Sequence, residues 1–268
     1  MNYNDIFSLS FPEAKTIIVS GDIHGDFNQL VFKLCIQYQL TDTLLIVAGD
    51  CGFGFEKREY YEQMVRRNAK RMNQANNWIV FVRGNHDNPA YFDGTMFNFK
   101  RFIAVPDYTI LQACNHTILC VGGAISIDRI FRIDEWNKRK FRIHSNESQK
   151  NDISRNLYWG NEVPVYNADK MNTIRTDFLI DTVVTHTAPS HCKLFSKSNL
   201  KQWTENDPLL IEDVQSERQT MDMLLHHLKT ENHPVSHWYY GHFHQSWHSA
   251  IDGILYQMLD IMEFCQLY

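Results

Sequence analysis

The sequence predicts an α/β protein built on parallel strands, a single domain over residues 1–268, and three observations predict it. Three short apolar runs, Thr16–Ser20, Thr43–Ala48 and 77–83, have the β-branched and aromatic character of strands buried on both faces. The segments between them, 27–40 and 58–76, carry their apolar residues at helical spacing, so the chain alternates strand and helix as βαβ units do. The chain has 268 residues and is 44% hydrophobic, enough for one large core.

Each element has a local reason. Residues 16–20 (TIIVS) end at Gly21, and 27–40 place Leu30, Val31, Leu34 and Cys35 on one helical side. Residues 43–48 (TLLIVA) end at Gly49-Asp50, and 58–76 read as a charged amphipathic helix. The run 77–83 (NWIVFVR) stops at Gly84, and 102–121 read as shorter strands ending in Gly122-Gly123. Residues 125–166 have weak periodicity and lack the Pro, Gly and Ser of a linker, so they read as an excursion over the sheet edge. Within it lie six basic residues, Arg129, Arg132, Lys138, Arg139, Lys140 and Arg142, against the acids Asp134 and Glu135. A helix over 167–177 and a strand over 178–184 lead to Thr185-His186, followed by a polar loop with Pro189 and Pro208. A helix over 211–230 buries Val214, Met221, Leu224, Leu225 and Leu228, and a strand His237–Tyr240 runs into Gly241-His242-Phe243-His244. Strands over 247–250 and Ile254–Met258 close the chain.

Composition excludes several classes. Mean hydropathy is -0.38, and no apolar run approaches the ~18 residues that span a bilayer. The first residues show no basic stretch followed by an apolar one, so a soluble cytoplasmic protein is expected, without a membrane partner. Six cysteines without a C-x-x-C pair read as buried thiols of a reducing compartment. A net charge of -5 argues against broad nucleic-acid binding while leaving a local basic groove open. Neither G-x-G-x-x-G nor G-x-x-x-x-G-K-[ST] occurs, which removes dinucleotide and P-loop readings.

Five polar, glycine-marked stretches end predicted strands, where open α/β sheets form their sites. Asp22 and His24, two apart, project from one face of an extended chain and can grip a cation, or form a solvated turn. Asp50 has two oxygens and can bridge two cations, although Gly-Asp is also a plain turn. Gly84-Asn85-His86-Asp87 is the most specific: Asn85 offers an amide oxygen, His86 a general acid, and Asp87 a carboxylate to hold the imidazolium. His186 alone reads equally as a partly buried histidine; His242 and His244 have metal-ligand spacing at a strand end. Together the candidate ligands are Asp22, His24, Asp50, Asn85, His186, His242 and His244. Nitrogen and oxygen donors without thiolate suit Mn, Fe or Zn better than Mg.

These motifs, GDIHG, GD, GNHD, TH and GHFH, resemble the signature of the calcineurin-like metallophosphoesterase superfamily, and GGAISIDR (residues 122–129) resembles a stretch of its bacterial and phage-type members. The resemblance covers about 16–124 and 178–260. It implies a four-layer α/β/β/α sandwich with a dinuclear metal site at the carboxyl ends of the strands. It implies that Asp22, His24 and His244 hold one divalent ion, that Asn85, His186 and His242 hold another, and that Asp50 bridges them. It implies hydrolysis of a phosphate mono- or diester by a metal-bridging hydroxide, with His86 facing the leaving group and Asp87 behind it. A nuclease or cyclic-nucleotide phosphodiesterase on the same centre is the alternative, and a catalytically silent scaffold a more remote one. The arginine of the GDxVDRG motif of Ser/Thr phosphatases is missing after Asp50, so Arg129 or Arg132 is the candidate substrate clamp. The excursion over 125–166 is then expected to cover the active site.

Overall fold

Side chains along Thr16–Ser20, Thr43–Ala48 and Trp78–Val82 point alternately to opposite faces. Ile18, Leu45, Val47, Ile79 and Phe81 enter one core, whereas Ile17, Val19, Leu44, Ile46, Val80 and Val82 enter a second. Both faces are dry, which is why these strands show no polar alternation in the sequence. The structure, a computed structural model, describes residues 6–145, 157–192 and 200–268. In chain order the strands are β1 (Ser8–Ser10), β2 (Thr16–Ser20), β3 (Thr43–Ala48), β4 (Trp78–Val82), β5 (Asn98–Phe99), β6 (Phe102–Ala104), β7 (Thr109–Ala113), β8 (His116–Val121), β9 (Thr182–Thr185), β10 (His237–Tyr240), β11 (Trp247–Ile251), β12 (Ile254–Met258) and β13 (Phe264–Leu267). The helices are α1 (Phe27–Phe32), α2 (Arg58–Ala75), α3 (Arg129–Ser145), α4 (Ala168–Asp177), α5 (Leu200–Thr204) and α6 (Leu210–Thr230).

Two sheets form, in the orders β13-β2-β3-β4-β6-β5 and β1-β7-β8-β9-β10-β12-β11. Strands β2, β3, β4 and β6 run parallel in the first, and β8, β9, β10 and β12 in the second. The second core lies between the sheets, where Ile17, Ile46 and Val80 meet Leu111, Ile118, Cys120, Val184 and Tyr239. The first core packs Phe27, Leu30 and Leu34 with Tyr61, Met64 and Met72 of α2 on one outer face. A third core packs Met171 and Ile174 of α4 and Met221, Leu224 and Leu228 of α6 on the other, against Leu119, Val183 and Trp238. Three cores between four layers make the α/β/β/α sandwich.

The local differences from expectation have physical causes. The helix over 27–40 is α-helical only to Phe32 and continues as a π-turn, Lys33–Gln37. The amine of Lys33 there donates to Met262 O and lies 4.9 Å over the Phe264 ring. The strand over 178–184 shrinks to β9, because Ile180 N–H donates to His233 Nδ1 and the Asp181 carboxylate accepts Thr117 N–H. Residues 129–145, read as irregular, form a helix: Arg, Lys and Glu favour helix even where the apolar stripe is broken. Strands β1 and β13 were unforeseen, being very short edge strands. All six cysteines are free thiols. No helix among the described residues is long and apolar enough to cross a membrane.

Phe53 sits directly after the Asp50 turn and touches Phe27, Tyr61, Phe81, Tyr91, Phe92 and Phe97, so the aromatic cluster anchors that turn to the first core. Phe53→Ala should cost about 3–5 kcal/mol, read as a lower urea midpoint; a midpoint unchanged from the parent would show that the cluster does not carry the turn.

Candidate metal centre and active site

The parallel strands of both sheets deliver their carboxyl ends to one place. Asp22 follows β2, Asp50 follows β3, Asn85 follows β4, His186 follows β9 and His242 follows β10. Glycines let the candidate ligands approach one another. A Cβ on Gly49 would lie 2.2 Å from the His186 ring, one on Gly84 2.2 Å from Asp50 Oδ1, and one on Gly241 2.2 Å from Asp22 Oδ1. Four ligand candidates are themselves in the left-handed region, with φ of 44° at His24, 45° at Asp50, 69° at His242 and 51° at His244. Non-glycine residues seldom adopt it, and a cluster of them signals strain held for function.

One group is Asp22, His24, Asp50 and His244, whose ligand atoms all lie within 4.8 Å of one another. His24 Nε2 is 3.0 Å from His244 Nε2, and His244 Nε2 is 3.0 Å from Asp22 Oδ2. Asp22 Oδ1 accepts the His242 N–H at 3.0 Å, yet the buried Oδ2 has no hydrogen-bond partner. A buried carboxylate oxygen packed 3.0 and 3.7 Å from two imidazole nitrogens is costly in a dry interior unless a cation joins them. The donor set therefore fits a divalent metal ion. This group opens to solvent: the side chains of His24 and His244 are 31% and 35% exposed, against 1% for Asp22.

Asn85, His186 and His242 lie deeper. His186 Nδ1 donates to Ala48 O at 2.7 Å, tying the two sheets together and aiming Nε2 inward. That Nε2 is 2.9 Å from Asn85 Oδ1 and 3.2 Å from Asp50 Oδ1. The His242 ring lies 5.0 Å from that of His186, centroid to centroid. Burial lowers the pKa of His186, but the Asp50 and Asp22 carboxylates outweigh it and raise it to about 9. The pocket is thus electronegative enough to draw positive charge. Burial and the neighbouring His186 hold His242 well below its ordinary value, leaving a neutral imidazole with a free lone pair. Asp50 touches both groups: its carboxyl, which burial would raise, is held well below the usual range by His86, His186 and His24.

His86 stands beside the cluster with Nδ1 3.6 Å from Asp50 Oδ2, and its backbone N–H donates to Asp50 Oδ1 at 2.8 Å. Asp87 does not back it. The Asp87 carboxylate is fully buried and accepts the backbone N–H groups of Gly84, Cys51, Gly52 and Phe53 at 2.7–3.0 Å. Asp87 thus clasps the Asp50 loop instead. Arg129 does not face the cluster either: its guanidinium is held by Asp207 and Asp213. Arg132 does reach it, with Nη2 3.4 Å from His86 Nδ1 and Nε donating to Asp128 Oδ1 at 2.7 Å. Lys138 pairs with Glu135, and the side chains of Arg139, Lys140 and Arg142 fall outside the described residues. Sequence reasoning missed Arg83, Ser126, Asp128 and Glu162. Ser126 and Asp128 lie in the GGAISIDR stretch, a signal that could have found them; Glu162 had none.

Comparison with curated protein sequences yields no match. Among solved structures, the phosphopantetheinyl hydrolase of Mycobacterium tuberculosis is similar at 14% identity and TM-score 0.38, covering 92% of this chain and 89% of that one. GAP50, the anchor in the inner membrane complex of Plasmodium, is similar at 12% identity and TM-score 0.38, covering 91% and 71%. The cold-active protein-tyrosine phosphatase of a psychrophilic Shewanella is similar at 13% identity and TM-score 0.31, covering 73% and 72%. Likenesses this distant say nothing of substrate. The family model of calcineurin-like phosphoesterases matches residues 15–246 and so runs through every motif that supplies the cluster. The chain therefore belongs to the calcineurin-like phosphoesterase family, metal-dependent hydrolases of phosphoric esters.

Proposed function

We propose that the protein hydrolyses phosphate mono- or diesters at a two-cation centre, with Mn, Fe or Zn as the resident metals. Asp22, His24 and His244 would hold one ion, Asn85, His186 and His242 the other, and Asp50 both. The observation that carries this reading is the convergence of Asp22, His24, Asp50 and His244, with the buried Asp22 Oδ2 3.0 Å from one imidazole and 3.7 Å from a second. When bound, two divalent ions lower the pKa of water and offset the charge of the phosphoryl oxygens. Two dications against the Asp22 and Asp50 carboxylates leave a centre of about +2, attractive to an anionic ester.

His86 is the general acid in this reading. Its Nδ1 lies 3.6 Å from the Asp50 carboxylate and 3.4 Å from the Arg132 guanidinium, which leaves Nε2 to meet a leaving oxygen. Its side chain is 21% exposed, open enough for a substrate to reach. Arg132 cannot take the part first given to Asp87, because a donor-only cation accepts no imidazole N–H, and burial together with its charge works against an imidazolium; that charge adds instead to the field for a phosphoryl group. The paired state of Arg129, Arg132 and Lys138 removes much of the basic character that a nucleic-acid groove would need. A phosphate ester free in the cytoplasm is the substrate class proposed.

Three substitutions test these roles. His86→Ala should leave bound metal unchanged and lower kcat on p-nitrophenyl phosphate by about 10²–10⁴-fold; an unchanged kcat removes His86 from the reaction. Asp50→Asn should reduce both metal equivalents in elemental analysis, and loss of only one contradicts the shared role. Asp87→Asn presents one oxygen to four N–H donors and should destabilise the fold by about 3 kcal/mol or more, measured by urea unfolding, whereas an Asp87 acting on His86 would lower kcat with stability intact.

A further inference from the structure

Asn85 is a ligand candidate with a weakness. Its amide has an oxygen at one end and an NH₂ at the other, and only the oxygen can serve a cation. Something must fix which end faces His186. Asn85 Nδ2 donates to Ser126 Oγ at 2.9 Å. Ser126 Oγ donates in turn to Glu162 Oε2 at 2.6 Å, and Ser126 N–H donates to Glu162 Oε1 at 2.8 Å. A hydroxyl has one proton. While Glu162 takes it, Ser126 can only accept from Asn85, so the NH₂ must face Ser126 and Oδ1 must face the cluster.

We propose that Glu162, acting through Ser126, is a positioning residue that sets the amide orientation of Asn85 and so completes the deeper cation site. The inference rests on the ligand role proposed for Asn85. Three further features place Glu162 for this task. It is 1% exposed, so water does not compete for the two bonds it accepts from Ser126. Arg83, at the end of β4, donates from Nη1 to Glu162 O at 2.7 Å and from Nη2 to the Asp107 carboxylate at 2.9 Å, bolting the stretch to the sheet. Gly123, with φ of 99°, lets that backbone approach: a Cβ there would lie 2.5 Å from Glu162 O. The return of the 125–166 excursion is thereby part of the metal centre.

The test is Mn²⁺ binding by equilibrium dialysis with elemental analysis, on Glu162→Ala and Ser126→Ala in the parent and in an Asn85→Asp background. A carboxylate at 85 has two equivalent oxygens and needs no orienting. In the parent background each substitution should weaken one of the two Mn²⁺ equivalents by about 10–100-fold and spare the other. In the Asn85→Asp background Glu162→Ala should change affinity by less than about twofold. Unchanged isotherms in the parent, or equal losses in both backgrounds, would overturn the proposal. Should Glu162→Ala not fold, Glu162→Gln serves, since an amide accepts only one of the two Ser126 bonds. Asn85→Ala separates the two readings: if it keeps both equivalents, the ligand role falls and the relay with it. If it loses one while Glu162→Ala loses none, the relay alone falls.

Discussion

Two carboxylates with almost no access to water, Asp22 and Asp50, govern this structure. Burying an ion costs several kcal/mol unless opposite charge and hydrogen bonds compensate. Here the compensation is incomplete within the protein. Asp22 Oδ2 has no hydrogen-bond partner, and Asp50 leans on imidazoles at 3.2–4.0 Å. Five histidines face two acids in a dry interior: burial lowers the pKa values of His242 and His86, while the Asp50 and Asp22 carboxylates outweigh it at His186 and raise that one. That electrostatic tension is the physical signature of a cation site, and the family's phosphoester chemistry follows from it.

The remainder of the fold holds this costly arrangement in place. Left-handed backbone at His24, Asp50, His242 and His244 and glycines in contact with ligands bring the strand ends closer than side chains would otherwise allow. The Asp87 clasp fastens the Asp50 loop to the end of β4, and the Phe53 cluster fastens the same loop to the outer core. His186 joins the second sheet to Ala48 of the first. The cluster is therefore braced from three layers, as a preorganised site requires.

Much of this was legible in the sequence because the sheet writes itself plainly. Runs buried on both faces are apolar throughout, and those before Asp22, Asp50, Asn85 and His242 end at a glycine followed by polar residues, so these positions, and His186 directly after its strand, could be read from local order. What could not be read depends on direction or on distant partners. Asp87 follows His86 and invited pairing with it, but only the turn geometry shows its carboxylate swinging back to four N–H groups. Arg129 and Arg132 sit three apart on one helix, yet acids at 207 and 213 claim the first and leave the second facing His86. Glu162 meets Ser126 at a sequence separation of 36, a contact that no local pattern encodes. The helix over 129–145 was hidden because its charged surface lacks a continuous apolar stripe.

The most direct measurement is anomalous X-ray scattering from crystals of the protein grown with Mn²⁺. Two peaks are expected, one among Asp22, His24 and His244 and one among Asn85, His186 and His242, with the Asp50 carboxylate in contact with both. A single peak, or peaks remote from Asp50, would contradict the account.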